Sequence, residues 1–297
     1  MYRGLSLHTE GELMKKLIDL EYAGVGDRSL RLDLYLPEGV DGPLPLLVWV
    51  HGGAWRMGTK DHPRALRLLS RGYAVASVEY RLTQESVFPA QIHDCKAAIR
   101  WLRAHAAEHG FDPARIGAWG GSAGGHLVAL LGTSAGVADL EGDLGCAEQL
   151  GCAEHLGCSE YSSAVQAVCD WYGPSDLLRM DDVPGSMEHN APDSPESQLI
   201  GAPIQSRPDL VARVNPITYI TPDAPPFLLM HGTADDVVIP NQSELLHAAL
   251  VEAGVPVSLI MLGGLGHGFP GDHGRWGEIY GYVGAFFDSV LKGTQIE

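Results

Sequence analysis

The chain contains no apolar run that approaches a membrane-spanning length, so no transmembrane helix is expected. Its first twenty residues, MYRGLSLHTEGELMKKLIDL, hold no secretory h-region, and as given the sequence reads as that of a cytoplasmic protein. Basic residues are scarce: 20 Lys and Arg stand against 37 Asp and Glu, a formal charge of −17. A surface so acidic repels phosphate backbones and anionic lipids, so neither nucleic acid nor a membrane is expected as a partner. Cysteine is sparse and odd in number, at positions 95, 146, 152, 158 and 169. Cys95 and Cys169 sit inside apolar patterns and read as small core residues, which suggests a reducing compartment. No glycine cluster has the spacing and following lysine of a phosphate loop, and no cofactor is expected.

What the chain does have is an ordinary globular composition, 45% hydrophobic and 19% charged, enough for a sizeable core. Strand-like runs alternate with helical ones along almost its whole length. SLRLDLYLPEG alternates Leu with polar residues and ends in a Pro/Gly break, as a half-buried strand does. PLPLLVWVHGG and GYAVASVEYR are apolar and bounded by Gly or Pro, which suits strands covered on both faces. PAQIHDCKAAIRWLRAHAAEHG spaces Ile92, Cys95, Ile99 and Leu102 for a helix that stops at Gly110. Then come the short strand ARIGAWG, a helix opened by Ser122, and strands at AVQAVCDWYG, PPFLLMHG and PVSLIMLGG. Further helices are expected near NQSELLHAALVEAG and from GRWGEIYGYVGAFFDSVLKG. The pattern predicts one α/β domain over 1–297, a mainly parallel sheet with helices on both faces. Two stretches, about 134–163 and 174–220, fit no regular element and read as insertions rimming the C-terminal edge of the sheet, where ligands bind in open α/β sheets.

One short segment concentrates chemistry. AWGGSAGGHL, residues 118–127, sets Ser122 between pairs of glycines where a strand turns into a helix. That context makes G-x-S-x-G a nucleophile elbow, with small neighbours allowing a strained turn. A serine hydroxyl is a poor nucleophile at neutral pH and needs a base, itself oriented by an acid. In such folds the order is Ser, then Asp or Glu, then His. After Ser122, MHGTADDVV offers Asp235 and Asp236, and GGLGHGF offers His267, each loop following an apolar strand. The oxyanion of acyl transfer requires fixed N–H donors. Ala123, after the serine, is one candidate, and Gly52 and Gly53 in VWVHGGAWRMG are the others. Trp55, Trp171 and Tyr172 follow strand ends and are candidates to line the substrate pocket. His51 and His231, each in a His-Gly pair, read as loop-orienting, and His126 as a packed helix residue. Glu79 and Arg81 read as fixing neighbouring loops rather than steering substrate.

From about residue 30 to 270 the sequence resembles the α/β-hydrolase superfamily. Within it, the likeness is to bacterial carboxylesterases related to hormone-sensitive lipase, and more closely to the feruloyl and acetyl-xylan esterase-like branch. HGGAWRMG, VEYRL, FPAQIHDCKAAIRWLR, DPARIGAWGGSAGGHLVALLGTS, DWYGPSDLLRMD, HGTADDVV and GLGHGF carry the likeness. Two positions differ from the hormone-sensitive lipase pattern: Gly121 stands before Ser122, and Ala54 replaces a third glycine. The resemblance favours Asp235 over Asp236 as the acid. It implies a serine carboxylesterase acting on small to medium acyl or aryl esters, with a small-molecule ester as its partner. The alternatives are an amide hydrolase of the arylformamidase type and, with an intact triad against it, a non-catalytic hydrolase-fold binding protein.

LGCAEQLGCAEHLGCSEY, residues 144–161, writes a six-residue unit three times. Cys146, Cys152, His155 and Cys158 could suggest zinc, but six residues advance about 600° round a helix and scatter the cysteines. The stretch therefore reads as a surface insertion, with no metal expected.

Overall fold

The computed structural model describes residues 14–40, 42–144, 158–271 and 274–294. Eight strands form one sheet: β1 (Met14–Val25), β2 (Arg28–Pro37), β3 (Leu44–Val50), β4 (Ala74–Val78), β5 (Phe111–Gly121), β6 (Ala167–Trp171), β7 (Phe227–Gly232) and β8 (Val257–Leu262). Their order is β1-β2-β4-β3-β5-β6-β7-β8. β1 and β2 pair antiparallel and β2 meets β4 antiparallel, while every pairing from β4 through β8 is parallel.

Alternation along the central strands sends successive side chains to opposite faces, each covered by helix. Leu46, Val48 and Val50 of β3, with Ala118 of β5 and Leu229 of β7, join the core on one face. There they meet α1 (Ala90–Ala104), the short α2 (Ala106–His109), α3 (Ala123–Thr133) and, toward β7, α7 (Asn241–Glu252). Leu47, Trp49, Trp119, Cys169, Trp171 and Met230 point the other way, into a core closed by Ile279, Val283 and Phe287 of α8 (Trp276–Lys292). Burying both faces is why these strands read as continuous apolar runs.

Three elements differ from what the sequence predicts. β1 is not among the expected strands; its register shifts between Leu17 and Leu20 and again between Glu21 and Ala23. Those irregularities interrupt the two-residue period by which a strand is recognised. The expected short strand at ARIGAWG is an eleven-residue one. The insertions are not without regular structure. The first holds α4 (Ala138–Glu141), and the second holds α5 (Pro195–Ile200), α6 (Pro208–Val214) and several 3-10 turns. Each is too short to show a clear apolar period.

Cys95 and Cys169 are free and buried, as core thiols. Cys158 is disulfide-bonded, so the cysteine content does not by itself argue for reducing surroundings. Cys146, Cys152 and His155 lie outside the described residues. Among the described residues no helix is long and apolar enough to cross a membrane, and no group of three or more His, Cys, Asp or Glu could hold a metal ion.

Candidate active site

β5 delivers the chain to Ser122, whose backbone has φ 58° and ψ −126°, before α3 begins at Ala123. A non-glycine residue held there is strained, and such strain persists only where the surroundings impose it. Here Ser122 N–H donates to Trp171 O at 2.9 Å, extending the β5–β6 ladder into the turn. The start of α3 lies tight against the end of β3: a Cβ on Gly124 would stand 2.1 Å from Val50 O. Only glycine permits that approach, which is what seats the serine at the sheet edge.

The loops after β7 and β8 bring two more side chains to Ser122. His267 Nε2 lies 3.0 Å from Ser122 Oγ, and His267 Nδ1 lies 2.8 Å from Asp235 Oδ2. A carboxylate only accepts, so Nδ1 carries the hydrogen and Nε2 is left to receive the serine proton. Ser122 and His267 are partly exposed, whereas Asp235 is buried. Asp235 Oδ1 accepts from Val237 N and Val238 N, both at 3.0 Å. Burial would raise this carboxyl, but hydrogen bonds from His231 and His267 prevail and hold its pKa at about 2. His231 Nε2 stands 3.3 Å from Asp235 Oδ2 and 2.8 Å from Val238 O, while its Nδ1 meets Ser243 Oγ at 2.7 Å. His231 is therefore a brace on the acid's loop. Asp236, by contrast, is exposed.

The loop after β3 runs beside the elbow. Gly53, at φ +115°, turns so tightly that its carbonyl accepts from both Arg56 N and Met57 N. His51 Nδ1 contacts Gly52 O at 2.8 Å, and its ring stacks on Tyr80, whose hydroxyl donates to His51 O. Ala123 is the first residue of α3, so its N–H belongs to the turn that has no partner within the helix.

The aromatic candidates separate. Tyr172 is buried beside the cluster, its ring edge-on to His267 at 4.9 Å. Trp171 is not a pocket residue. It is fully buried on the α8 face, 4.9 Å from Trp119 and 6.4 Å from Trp49. Trp55 is also corrected: it is 1% exposed, and its indole N–H donates to His126 Nδ1 at 3.2 Å. Arg81 grips the buried Asp94 through Nε and Nη2, a loop-fixing role. Sequence reasoning missed two contacts of the second insertion: Ser186 N–H donates to Asp236 O at 2.6 Å, and His189 Nε2 to Val237 O at 2.8 Å. They tie the insertion to the loop of Asp235, and no local pattern announces them.

A serine at a strand-to-helix turn, facing His and Asp from later strand ends of this sheet, defines an α/β hydrolase. The chain belongs to the BD-FAE family, which it matches over residues 32–250. It is 34% identical to Esterase LipQ of Mycobacterium tuberculosis over 80% of this chain and 53% of that protein. The chain spans a little over half the length of the mycobacterial relatives LipQ, LipM and LipC. Among solved structures, a truncated carbohydrate esterase from gut microbiota superposes with TM-score 0.80 and 32% identity, over 94% of this chain and 96% of that one. Thermogutta terrifontis esterase 2, phosphoramylated by tabun, superposes with TM-score 0.72 and 26% identity, over 96% of each.

Proposed function

We propose that this chain is a serine carboxylesterase that cleaves small to medium acyl or aryl esters through an acyl-enzyme. The unbroken Asp235–His267–Ser122 hydrogen-bond sequence, at 2.8 and 3.0 Å, carries the reading. His267 takes the Ser122 proton as Oγ attacks the ester carbonyl, and Asp235 holds the imidazole and stabilises its charged form. The N–H groups of Gly52, Gly53 and Ala123 receive the oxyanion. His267 then protonates the departing alcohol, and a water activated by the same imidazole releases the acid. Tyr172, edge-on to His267, borders the substrate. The names of the relatives support ester hydrolysis, and the organophosphate adduct of the Thermogutta esterase supports a reactive nucleophile in a similar fold.

A panel of p-nitrophenyl and aryl esters tests the proposal. Wild-type protein is expected to turn them over, and Ser122→Ala to lower kcat by several orders of magnitude without unfolding. Ester turnover that survives Ser122→Ala would refute it.

A further inference from the structure

The proposed oxyanion hole is assembled from two separate pieces of chain. Gly52 and Gly53 lie on the loop after β3, and Ala123 opens α3. Their N–H groups converge on one oxygen only if loop and helix are held in register. The loop is a strained support for this: Ala54 at φ 54° and Trp55 at φ 56° are consecutive non-glycine residues in the left-handed region.

A direct bond spans the two pieces. Trp55 Nε1–H, from the loop, donates to His126 Nδ1, in the first turn of α3, at 3.2 Å. The rings also meet edge-on at 5.2 Å. The other imidazole nitrogen, Nε2, lies 2.7 Å from Val214 O at the end of α6, in the second insertion. The chemistry leaves one protonation state. An indole N–H only donates, so Nδ1 must be bare, and a carbonyl only accepts, so Nε2 must carry the hydrogen. His126 has no exposed surface, and burial lowers its pKa to about 4, in keeping with a neutral ring.

We infer that Trp55 and His126 are positioning residues that hold the two halves of the oxyanion hole in register, with Val214 O selecting the imidazole tautomer that makes the bond possible. This rests on the esterase reading above and explains why HGGAW and SAGGH occur in one chain: the Trp of one is bonded to the His of the other. Neither residue touches the substrate. Both act on donors whose contribution is made in the transition state, so their loss should appear in kcat rather than KM.

Trp55→Phe keeps an aromatic ring and removes the donor, together with part of the buried indole, so its kcat is read beside its melting temperature. Its kcat for a neutral p-nitrophenyl ester is expected to fall about tenfold or more, with KM within about twofold, as for small misplacements of catalytic groups. Phe287→Leu, in the core on the opposite face of the sheet, supplies the control: it should lower the melting temperature while leaving kcat within about twofold. Nitrogen-15 NMR of histidine-labelled wild-type protein provides a readout independent of turnover. It should find His126 neutral and protonated on Nε2 at pH 7. A Trp55→Phe kcat within twofold of wild type, or a His126 that is charged or protonated on Nδ1, would overturn the inference. Should Trp55→Phe fail to fold, the tautomer decides alone. Failure of the esterase reading looks different, since wild-type protein would then leave every ester intact.

Discussion

Asp235 and Asp236 stand side by side in the sequence and could hardly be placed more differently. Asp235 is buried, with both carboxylate oxygens occupied, whereas Asp236 points to solvent. Asp235→Asn would present an amide where His267 needs an acceptor, favouring the wrong tautomer of the base. Its kcat should fall by about 10³–10⁴, and that of Asp236→Asn should stay within about twofold. Steady-state kinetics of the two variants checks this, and a reversed order would show that the acid is misassigned. Ser122 and His267 were legible in the sequence because strand, turn and residue order select them together. For the candidate acid the sequence left Asp235 and Asp236 side by side, and the resemblance favoured Asp235, the one that meets His267. Trp55 and Trp171 were misread for a physical reason. Whether an aromatic after a strand faces a pocket or the core is decided by α3 and α8, which are distant in the sequence.

Next to the last residue of β6 stands a further buried carboxyl, Asp170, whose Oδ1 accepts from Gly173 N at 2.9 Å while Oδ2 is buried without a hydrogen-bond partner. Burial raises its pKa to about 7, against the lowering effect of the Gly173 bond. The folded chain therefore holds this proton more tightly than the unfolded chain, whose carboxyl titrates near 3.8. The stability it contributes is complete below about 3.8 and is lost as pH rises through about 7. Between pH 5 and pH 7 the wild type should lose about 2 kcal/mol relative to Asp170→Asn, which has no such proton to release. Urea denaturation of both proteins at the two pH values measures the difference, and parallel pH dependence would contradict it. The elements themselves divide along similar lines. β3, β4, β6 and β7 could be read from sequence because they are buried along their whole length and nearly uniformly apolar. β1 could not, because its bulges break the alternation, and neither could α5 and α6, which are six and seven residues long.

Across the whole molecule, three loops from the ends of β5, β7 and β8 converge on one point, with the loop after β3 beside them. The sheet fixes these loops, and the segment 174–220 adds bonds to the Asp235 loop from His189 and Ser186 and to His126 of α3 from Val214 O. The mainly parallel sheet with two covered faces was legible from the alternation of strand and helix. The contacts of the insertion were not, because they join residues up to 88 positions apart without any repeating pattern. At this scale the proposed function requires that one serine, out of all those in the chain, be activated by its surroundings. Labelling the intact protein with a fluorophosphonate and mapping the adduct by mass spectrometry tests it most directly. One adduct is expected, on Ser122, and none on folded Ser122→Ala protein. An adduct on another serine, or undiminished labelling of Ser122→Ala, would contradict the account.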